Sequence, residues 1–251
     1  MGIDTREHGP NIVIVTIANE PRRNAMTRAM LADLAALWDR LDTSPVRCVV
    51  LTGAGMKAFT SGADVSGDLT AGPAMARGVN RALLKNTTFS KPIIAAVNGD
   101  CIAGGVELLL STDIRAAVPT ARFGLTEVKW SIYPFGGSTV KLIHQIGYVH
   151  ALDLLLTGRL IDAETAAKLG LVNRVLPPEE LIAWALETAE TIAANSPSAV
   201  QAVKYQISAS VADYANSREA LEQVLGDRVR ASAHFKEGVS AFLEKRRPDY
   251  A

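Results

Sequence analysis

The stretch 91–117, KPIIAAVNGDCIAGGVELLLSTDIRAA, contains two apolar segments separated by a pair of glycines and a run of leucines. The segments KPIIAAVNG (91–99) and DIRAAV (113–118) predict strands, because they are short and rich in β-branched residues and alanine. Between them, the glycine pair that begins at Gly104 predicts the start of a helix containing Glu107. Strand, helix and strand in succession predict an α/β architecture.

The same alternation continues toward the N-terminus. The segments NIVIVTI (11–17) and VRCVVLTG (46–53) predict strands, the second nearly continuously apolar, as expected when both faces of a sheet are covered. Between them, residues 27–43 carry apolar side chains at helical spacing, with Thr27 placed to cap the helix. A further helix is predicted over 74–90.

Helical patterns dominate after about residue 139, and only LVNRVL (171–176) resembles a strand there. The turn NSPS at Ser196 suggests a boundary. We therefore predict a core over residues 1–196 and a C-terminal helical region over 197–251. The amphipathic helices of this region are expected to pack on the core or on another subunit. They are predicted at 198–208, 218–232 and 234–246.

Composition narrows the functional classes. The chain has 251 residues, of which 48% are hydrophobic and 21% charged, typical of a globular protein. Lys plus Arg and Asp plus Glu both number 26, which argues against a nucleic-acid-binding protein. No run approaches the roughly 18 apolar residues of a membrane-spanning helix, and charges interrupt the place where a signal peptide has its apolar core. We expect a cytoplasmic protein without a membrane partner.

Cysteines and histidines give no sign of a metal site. Cys48 and Cys101 have no ligand spacing, and buried thiols are expected. The four histidines are scattered and form neither H-x₃-H nor H-E-x-x-H. We predict no metal and no disulfide.

The glycine pair and Glu107 have two interpretations each. A helix start leaves N–H groups without intrahelical partners, so Gly104 can present one to a developing oxyanion; alternatively, the glycines allow close helix–strand packing. Glu107 can favour the helix dipole from the first turn. Its apolar neighbours instead indicate burial, which raises a carboxylate pKa into a range useful for proton transfer.

Two other stretches contain candidate residues for ligand binding or catalysis. LTGAGMKAFTSGADVSG (51–67) follows a strand, and its small residues allow a ligand to approach the backbone closely. It matches neither G-x-x-x-x-G-K-[ST] nor G-x-G-x-x-G, so a phosphate cradle is not predicted. Glu127 lies just after the short predicted strand ARFG (121–124). A glutamate in such a loop is usually solvated, and periodicity does not show whether it meets Glu107.

Five segments in order resemble the enoyl-CoA hydratase/isomerase (crotonase) superfamily over nearly the whole chain. The second of them, VVLTGAGMKAFTSGADV, is similar to the family pattern V-L-T-G-x-G-x-A-F-[CS]-A-G-A-D-[IL]. The third, KPIIAAVNGDCIAGGVELLLSTDIRAA, is similar to the family pattern K-P-[VI]-I-A-A-V-x-G-x-[AC]-x-G-G-G-x-E-L-x-x-x-C-D-[IL]-R-[IV]-A. In this chain the five segments are NEPRRNAMT, VVLTGAGMKAFTSGADV, KPIIAAVNGDCIAGGVELLLSTDIRAA, ARFGLTEVKWSIYPFGGS and FLEKRRPDY.

This resemblance implies a crotonase-like spiral of ββα repeats followed by a helical oligomerisation domain, which forms trimers that often pair into hexamers. It also implies an acyl-CoA thioester as substrate and no separate cofactor, since coenzyme A is part of the substrate. Ala63 and Gly104 match the two backbone N–H groups that hold the thioester oxygen, and Glu107 and Glu127 match the two glutamates of the hydratase branch. The coenzyme and acyl positions match Arg22, Arg23, Ala25, Ser61, Gly62 and Phe135.

Three residues depart from the family pattern. Phe135 replaces a glycine that helps hold the reacting water in hydratases, and we expect it to narrow or dry the acyl pocket. Thr126 replaces the frequent proline before the second glutamate, and Ala103 replaces the first glycine of G-G-G. The leading hypothesis is a 2-enoyl-CoA hydratase. The alternatives are another acyl-CoA enzyme, such as a Δ3-Δ2 enoyl-CoA isomerase using Glu127 alone, and a non-catalytic acyl-CoA-binding scaffold.

Overall fold

The computed structural model describes residues 1–64 and 73–251, without the side chains of residues 73–76. The last three residues of the stretch 51–67 lie outside this part. The described strands are β1 (Gly2–His8), β2 (Ile12–Ala18), β3 (Cys48–Gly53), β4 (Ala58–Thr60), β5 (Ile93–Val97), β6 (Asp100–Ile102), β7 (Ile114–Ala117), β8 (Arg122–Gly124), β9 (Ile161–Asp162) and β10 (Arg174–Val175). The described helices are α1 (Arg28–Asp42), α2 (Pro73–Ala82), α3 (Gly104–Leu109), α4 (Ser138–Ile146), α5 (Tyr148–Thr157), α6 (Ala163–Lys168), α7 (Pro178–Ala194), α8 (Pro197–Arg230) and α9 (Ala233–Glu244).

The strands form two sheets, and from β3 to β8 consecutive strands belong alternately to the larger and the smaller sheet. The larger has the order β1-β2-β3-β5-β7-β10 and is parallel except for the β1–β2 pair. The smaller has the order β4-β6-β8-β9, with β4, β6 and β8 parallel. Successive pairs β3–β4, β5–β6 and β7–β8 each place one strand in the larger sheet and the next in the smaller. The chain therefore winds as a spiral of ββα turns, as predicted.

Apolar side chains of the larger sheet form the core together with α1 and α7. β3 and β5 are completely buried, which explains their continuous apolar sequences. Trp38 of α1 is fully buried and donates from its indole N–H to the carbonyl of Ala82 at the end of α2, at 2.9 Å. Thr27 caps α1 as predicted, since its Oγ1 accepts a hydrogen bond from the N–H of Met30 at 3.3 Å.

Some predicted boundaries were wrong. α2 ends at Ala82 rather than near residue 90, because the chain turns at Leu84, whose φ is +49°. The helices predicted at 198–208 and 218–232 are one continuous helix of 34 residues, α8, since no glycine or proline interrupts residues 209–217. Strands β1, β4 and β6 were not predicted; β4 and β6 have only three residues each, too few for a period-2 pattern.

Cys48 and Cys101 are buried free thiols, as predicted. Burial raises the pKa of the Cys48 thiol to about 12. None of the helices in the described part of the chain is both long and apolar enough to cross a bilayer. Within the same ranges, no three His, Cys, Asp or Glu side chains cluster closely enough to hold a metal ion.

Candidate active site

Three parallel strands of the smaller sheet end side by side, and a predicted site segment follows each of them. The pairings Thr60 with Cys101 and Ile102 with Gly124 set β4, β6 and β8 in this register. Ligands bind preferentially at the carboxyl ends of parallel strands, where the loops leave the sheet. This edge brings the residues after β4, the start of α3 and Glu127 to one place.

The loop after β4 touches the start of α3 through glycine. Gly62 has a φ of +90°, and a Cβ there would lie 2.8 Å from the nitrogen of Gly104. A Cβ on Gly104 would lie 3.4 Å from the nitrogen of Ala63. Within residues 1–64 and 73–251, the N–H groups of Ala63 and Gly104 donate to no acceptor. Two neighbouring donors without partners fit an oxyanion-binding pair.

Ala103 holds the turn that leads into α3 in a strained conformation. Its φ of +53° and ψ of −125° form a combination that glycine adopts easily and alanine does not. The Ala103 N–H donates to the carbonyl of Gly124 on β8 at 2.8 Å, which ties the turn to the smaller sheet. This backbone geometry fixes the peptide between Ala103 and Gly104, and with it the direction of the Gly104 N–H.

Glu107 is buried in the first turn of α3 and is held from one side by the start of α4. The Ser138 N–H and Oγ both donate to its Oε1, at 3.4 and 3.1 Å. Gly136 makes room for the other oxygen, since a Cβ there would lie 2.1 Å from Oε2. The carboxylate is therefore fixed in position within an apolar surrounding.

Glu127 is equally buried, at the start of a short 3₁₀ helix (Glu127–Trp130), but it lacks these partners. Its Oε2 has no hydrogen-bond partner among the residues that the structure describes. Burial, followed by the charge of Glu107, raises its pKa to about 8. Burial also raises the pKa of Glu107, but Ser138, the Lys85 charge and the Gly136 N–H act against this. The two donors from Ser138 therefore favour the charged form of Glu107, so that a proton shared by the pair is held preferentially on Glu127.

Two exposed arginines lie at the rim. The Nη1 of Arg22 is 3.3 Å from Oδ2 of Asp64, and the Nη1 of Arg23 is 3.5 Å from Oδ2 of Asp100. Asp100 also forms an ion pair with Arg122 of β8, whose Nη2 lies 2.6 Å from Oδ2 of Asp100. The guanidinium groups are thus held near the cavity by carboxylates.

A cavity of about 570 Å³ connects these groups. Gly62 is not among its lining residues but supports the wall beneath Gly104. The predicted site residues that line it are Arg22, Arg23, Ala25, Ser61, Ala63, Gly104, Glu107, Glu127 and Phe135. The structure therefore collects into one space residues that are separated by more than one hundred positions in the sequence.

Phe135 lines this cavity, and its ring extends toward α8. A Cβ on Gly226 would lie 1.7 Å from the ring Cζ, so the end of the ring rests on the backbone of that helix. The Arg230 guanidinium lies 5.2 Å from the ring centroid, and the Tyr133 ring centroid lies 5.0 Å away. Phe135 thus joins the wall of the site to α8, and its expected narrowing of the acyl pocket stays a prediction.

The groups that act on Glu107 were not predicted from the sequence. Ser138 follows the glycines of a recognised motif, but no periodicity shows that its hydroxyl reaches a carboxylate 31 positions away. Lys85 lies within the helix predicted over 74–90, but α2 ends before it and its side chain is only 2% exposed. Lysine is usually exposed, so the pattern carried no signal for a buried one.

Comparison with known proteins places these features in a family. A family model described as enoyl-CoA hydratase/isomerase matches residues 7–251. The chain is 42% identical to the enoyl-CoA hydratase EchA19 of Mycobacterium tuberculosis over 252 residues, which cover 97% of this chain and 94% of the relative. It is 35% identical to the mevalonyl-coenzyme A hydratase sidH of Aspergillus fumigatus, with 96% and 92% of the two chains covered.

Solved structures agree. The crystal structure of an enoyl-CoA hydratase/isomerase from Pseudoalteromonas atlantica superimposes with a TM-score of 0.90 at 31% identity and covers 100% of both chains. The fold similarity thus extends over the spiral core and the C-terminal helices alike.

Proposed function

The chain belongs to the enoyl-CoA hydratase/isomerase family, and from this premise we propose that it is an enoyl-CoA hydratase that adds water across the double bond of a 2-enoyl-CoA thioester. One observation carries the proposal most directly. Glu107 and Glu127 are buried in the same cavity, yet two donors of Ser138 stabilise the charge of Glu107, whereas the Oε2 of Glu127 has no partner among the described residues. Two carboxyl groups whose surroundings favour different protonation states suit a reaction that needs a base and an acid together.

The proposed step uses both groups and the backbone. Glu107 accepts a proton from water while the water oxygen forms a bond to Cβ of the substrate. The π electrons of the double bond move toward the thioester oxygen, and the N–H groups of Ala63 and Gly104 stabilise the resulting enolate. Glu127 then donates its proton to Cα. The product gains one H and one OH, and the pair is reset when a proton passes from Glu107 back to Glu127.

The glutamate pair also supports one alternative on the same enolate, isomerisation of a 3-enoyl-CoA to a 2-enoyl-CoA. The Glu127 Oε2 lacks a partner within the described ranges, which suits a single carboxyl group that removes a proton from one carbon and returns it to another. Phe135, in place of the usual glycine, favours this alternative if the ring reduces access of water.

A side-by-side assay separates these functions. Crotonyl-CoA hydration is followed by loss of the conjugated double bond, and 3-enoyl-CoA isomerisation by its gain, with Glu107→Gln and Glu127→Gln as matched controls. A hydratase loses hydration in both variants, whereas an isomerase loses activity mainly in Glu127→Gln. Saturable acyl-CoA binding without turnover of either substrate, unchanged in both variants, would contradict both enzymatic functions and support a non-catalytic binding protein.

Hydration moves protons and a water molecule but no redox equivalents, so the proposed reaction needs no cofactor beyond the coenzyme A of its substrate. The acyl group itself is left open, since the relatives differ in the acyl group that their names give. Activity that is lost on dialysis against a chelator and restored by a metal would contradict this part of the proposal.

We also propose a homotrimer or a hexamer, assembled partly through the region 197–251. Exposed apolar side chains on α5 and α8 support contacts between subunits, because such groups are usually covered when they cluster. The large apolar residues exposed on these two helices are Tyr148, Val149, Leu156, Val203, Tyr205, Ile207, Tyr214, Leu221 and Val224. Light scattering at micromolar concentration tests the assembly, and a stable monomer would contradict it.

A further inference from the structure

A third buried carboxylate lies near the glutamate pair and comes from the C-terminal region. Glu222 of α8 places Oε2 2.8 Å from Nζ of Lys85, with side chains 5% and 2% exposed. Its Oε1 accepts a hydrogen bond from Oγ1 of Thr139 at 2.6 Å. A buried ion pair is costly to form, and removing one partner leaves an uncompensated charge. A pair of this kind therefore calls for an explanation beyond the attachment of a helix.

Lys85 forms an ion pair with Glu222 and with no other carboxylate that the structure describes. Its charge acts on Glu107, whose pKa it lowers. Among the residues that the structure describes, Glu107 has no cation within ion-pairing distance. The aliphatic part of Lys85 is fixed against Gly137, where a Cβ would lie 3.1 Å from its Cγ. The direction of the ammonium group thus depends on Glu222.

The start of α4 connects the same two carboxylates. Ser138 donates to Glu107, and the next residue, Thr139, donates to Glu222. Neighbouring hydroxyls of one turn thus contact the site and the C-terminal helix. A displacement of Glu222 would act on Glu107 through Lys85 and through this turn.

We propose that Glu222 is a positioning residue: it holds the Lys85 ammonium on helix α8 and away from Glu107, and thereby couples the docking of the C-terminal helix to the strength of the catalytic base. This inference rests on the proposed role of Glu107. Without Glu222, the Lys85 ammonium loses its ion-pair partner, and Glu107 is a buried carboxylate on which its charge already acts. A base that forms an ion pair with lysine keeps its negative charge to lower pH and accepts a proton less readily.

Other charged groups face this cluster and stay unchanged in the test. Glu127 faces Glu107 from the 3₁₀ helix, and Lys141 faces it from α4. Burial lowers the pKa of Lys141 to about 7, and its Nζ donates to the carbonyl of Leu84 at 2.6 Å. Arg115 lies near Lys141. Tyr133 lies near Thr139, and the charges of Glu222, Glu107 and Arg218 act on the pKa of its hydroxyl.

The two single variants have opposite expected signs. In Glu222→Gln the Lys85 ammonium is expected to move toward Glu107. The lower apparent pKa of the pair Glu107 and Glu127 then falls by about one unit. In Lys85→Met the stabilising cation is gone, so the same pKa rises by about one unit. A purely structural role predicts loss of stability and of kcat in both variants but no opposite shifts.

The measurement is the acid limb of kcat/KM against pH, together with an infrared titration of the protonated carboxyl band that needs no turnover. Glu107→Gln and Glu127→Gln identify the contribution of the pair to that band. Glu219→Gln is the matched control, since Glu219 lies one turn earlier on α8 and accepts hydrogen bonds from Asn80 and Asn86 near the surface. It is expected to leave the pair unshifted.

The double variant Lys85→Met with Glu222→Leu checks the route of the coupling. An apolar pair of similar size keeps α8 docked, and the double variant is expected to show the shift of Lys85→Met alone. Shifts of the same sign in both single variants, or no shift in either, would overturn the proposal. If the enzyme proves not to be a hydratase, the infrared shifts still appear; if only the coupling is wrong, hydration persists without them.

Discussion

The floor and the rim of the cavity use carboxylates in opposite ways. On the floor, Glu107 and Glu127 are buried beside each other and face no cation within ion-pairing distance in the described part of the chain, so burial sets their pKa values. At the rim, Asp64 and Asp100 are paired with the largely exposed Arg22 and Arg23. Salt screens the exposed interactions at the rim much more than the buried ones on the floor. The floor is therefore suited to chemistry and the rim to reversible attachment of a charged ligand.

The sharpest test of this contrast changes the floor. Glu107→Gln and Glu127→Gln are each expected to lower kcat by roughly 10²–10⁴, because each removes one proton-transfer group. Substrate affinity should change little, since glutamine keeps the shape and the oxyanion donors are backbone groups. Stopped-flow kinetics and acyl-CoA binding measure the two effects separately. Nearly unchanged kcat in the double glutamine variant would contradict the roles of both residues.

Glu127→Gln also has an effect on stability. The pKa of Glu127 is raised from 4.5 to about 8, so the folded state holds this proton more tightly than the unfolded state. The stabilisation is complete below pH 4.5 and is lost as the pH rises through about 8. Glutamine does not titrate, so the variant should gain stability relative to the parent at pH 8 compared with pH 5. Denaturant unfolding at matched protein concentration tests the sign.

Changing the rim should affect binding and not chemistry. Replacing Arg22 and Arg23 together with alanine is expected to raise KM for an acyl-CoA about tenfold, because charge-assisted contacts to phosphates are lost. Salt should weaken binding by the parent more than by the variant. The matched control is Arg6→Ala on β1. A lower kcat with unchanged KM would break the distinction between rim and floor.

Ser138→Ala sharpens the description of the floor. The variant removes one donor to Glu107 and keeps the backbone donor, so the pKa of Glu107 should rise. The acid limb of the rate profile then moves to higher pH, so activity falls below that of the parent on the acid side and is little changed at higher pH. Ser210→Ala, on an exposed turn of α8, is the matched serine control. A shift to lower pH would contradict the hydrogen bond as described.

The smallest expected effect concerns the turn behind the oxyanion donors. Ala103→Gly relieves a conformation that alanine rarely adopts and should raise the free energy of unfolding by about 1 kcal/mol. Ala202→Gly in α8 should lower it by about the same amount, because glycine is a poor helix former. The two unfolding curves at equal protein concentration give the comparison. Destabilisation by Ala103→Gly would show that the turn is not strained.

The alternation of strands and helices, the capped start of α1 and the segments that carry the site could be predicted from the sequence. These features depend on neighbouring residues or on periodicity, so they can be read locally. Motifs resembling those of the family also led to Glu107, Glu127, Ala63 and Gly104 as candidates. The short strands β4 and β6 escaped detection, because three residues carry too little pattern.

The surroundings of each candidate residue depend on how distant segments pack in three dimensions. Glu107 and Glu127 come together because β6 and β8 end side by side in the smaller sheet. The difference between them follows from long-range contacts, namely Ser138 on Glu107 and the absence of a described partner on the Glu127 Oε2. Lys85 is buried in an ion pair with Glu222, which lies on α8, 137 positions later in the sequence. Burial and pairing depend on the whole packed molecule, and the protonation state of a carboxylate depends on both.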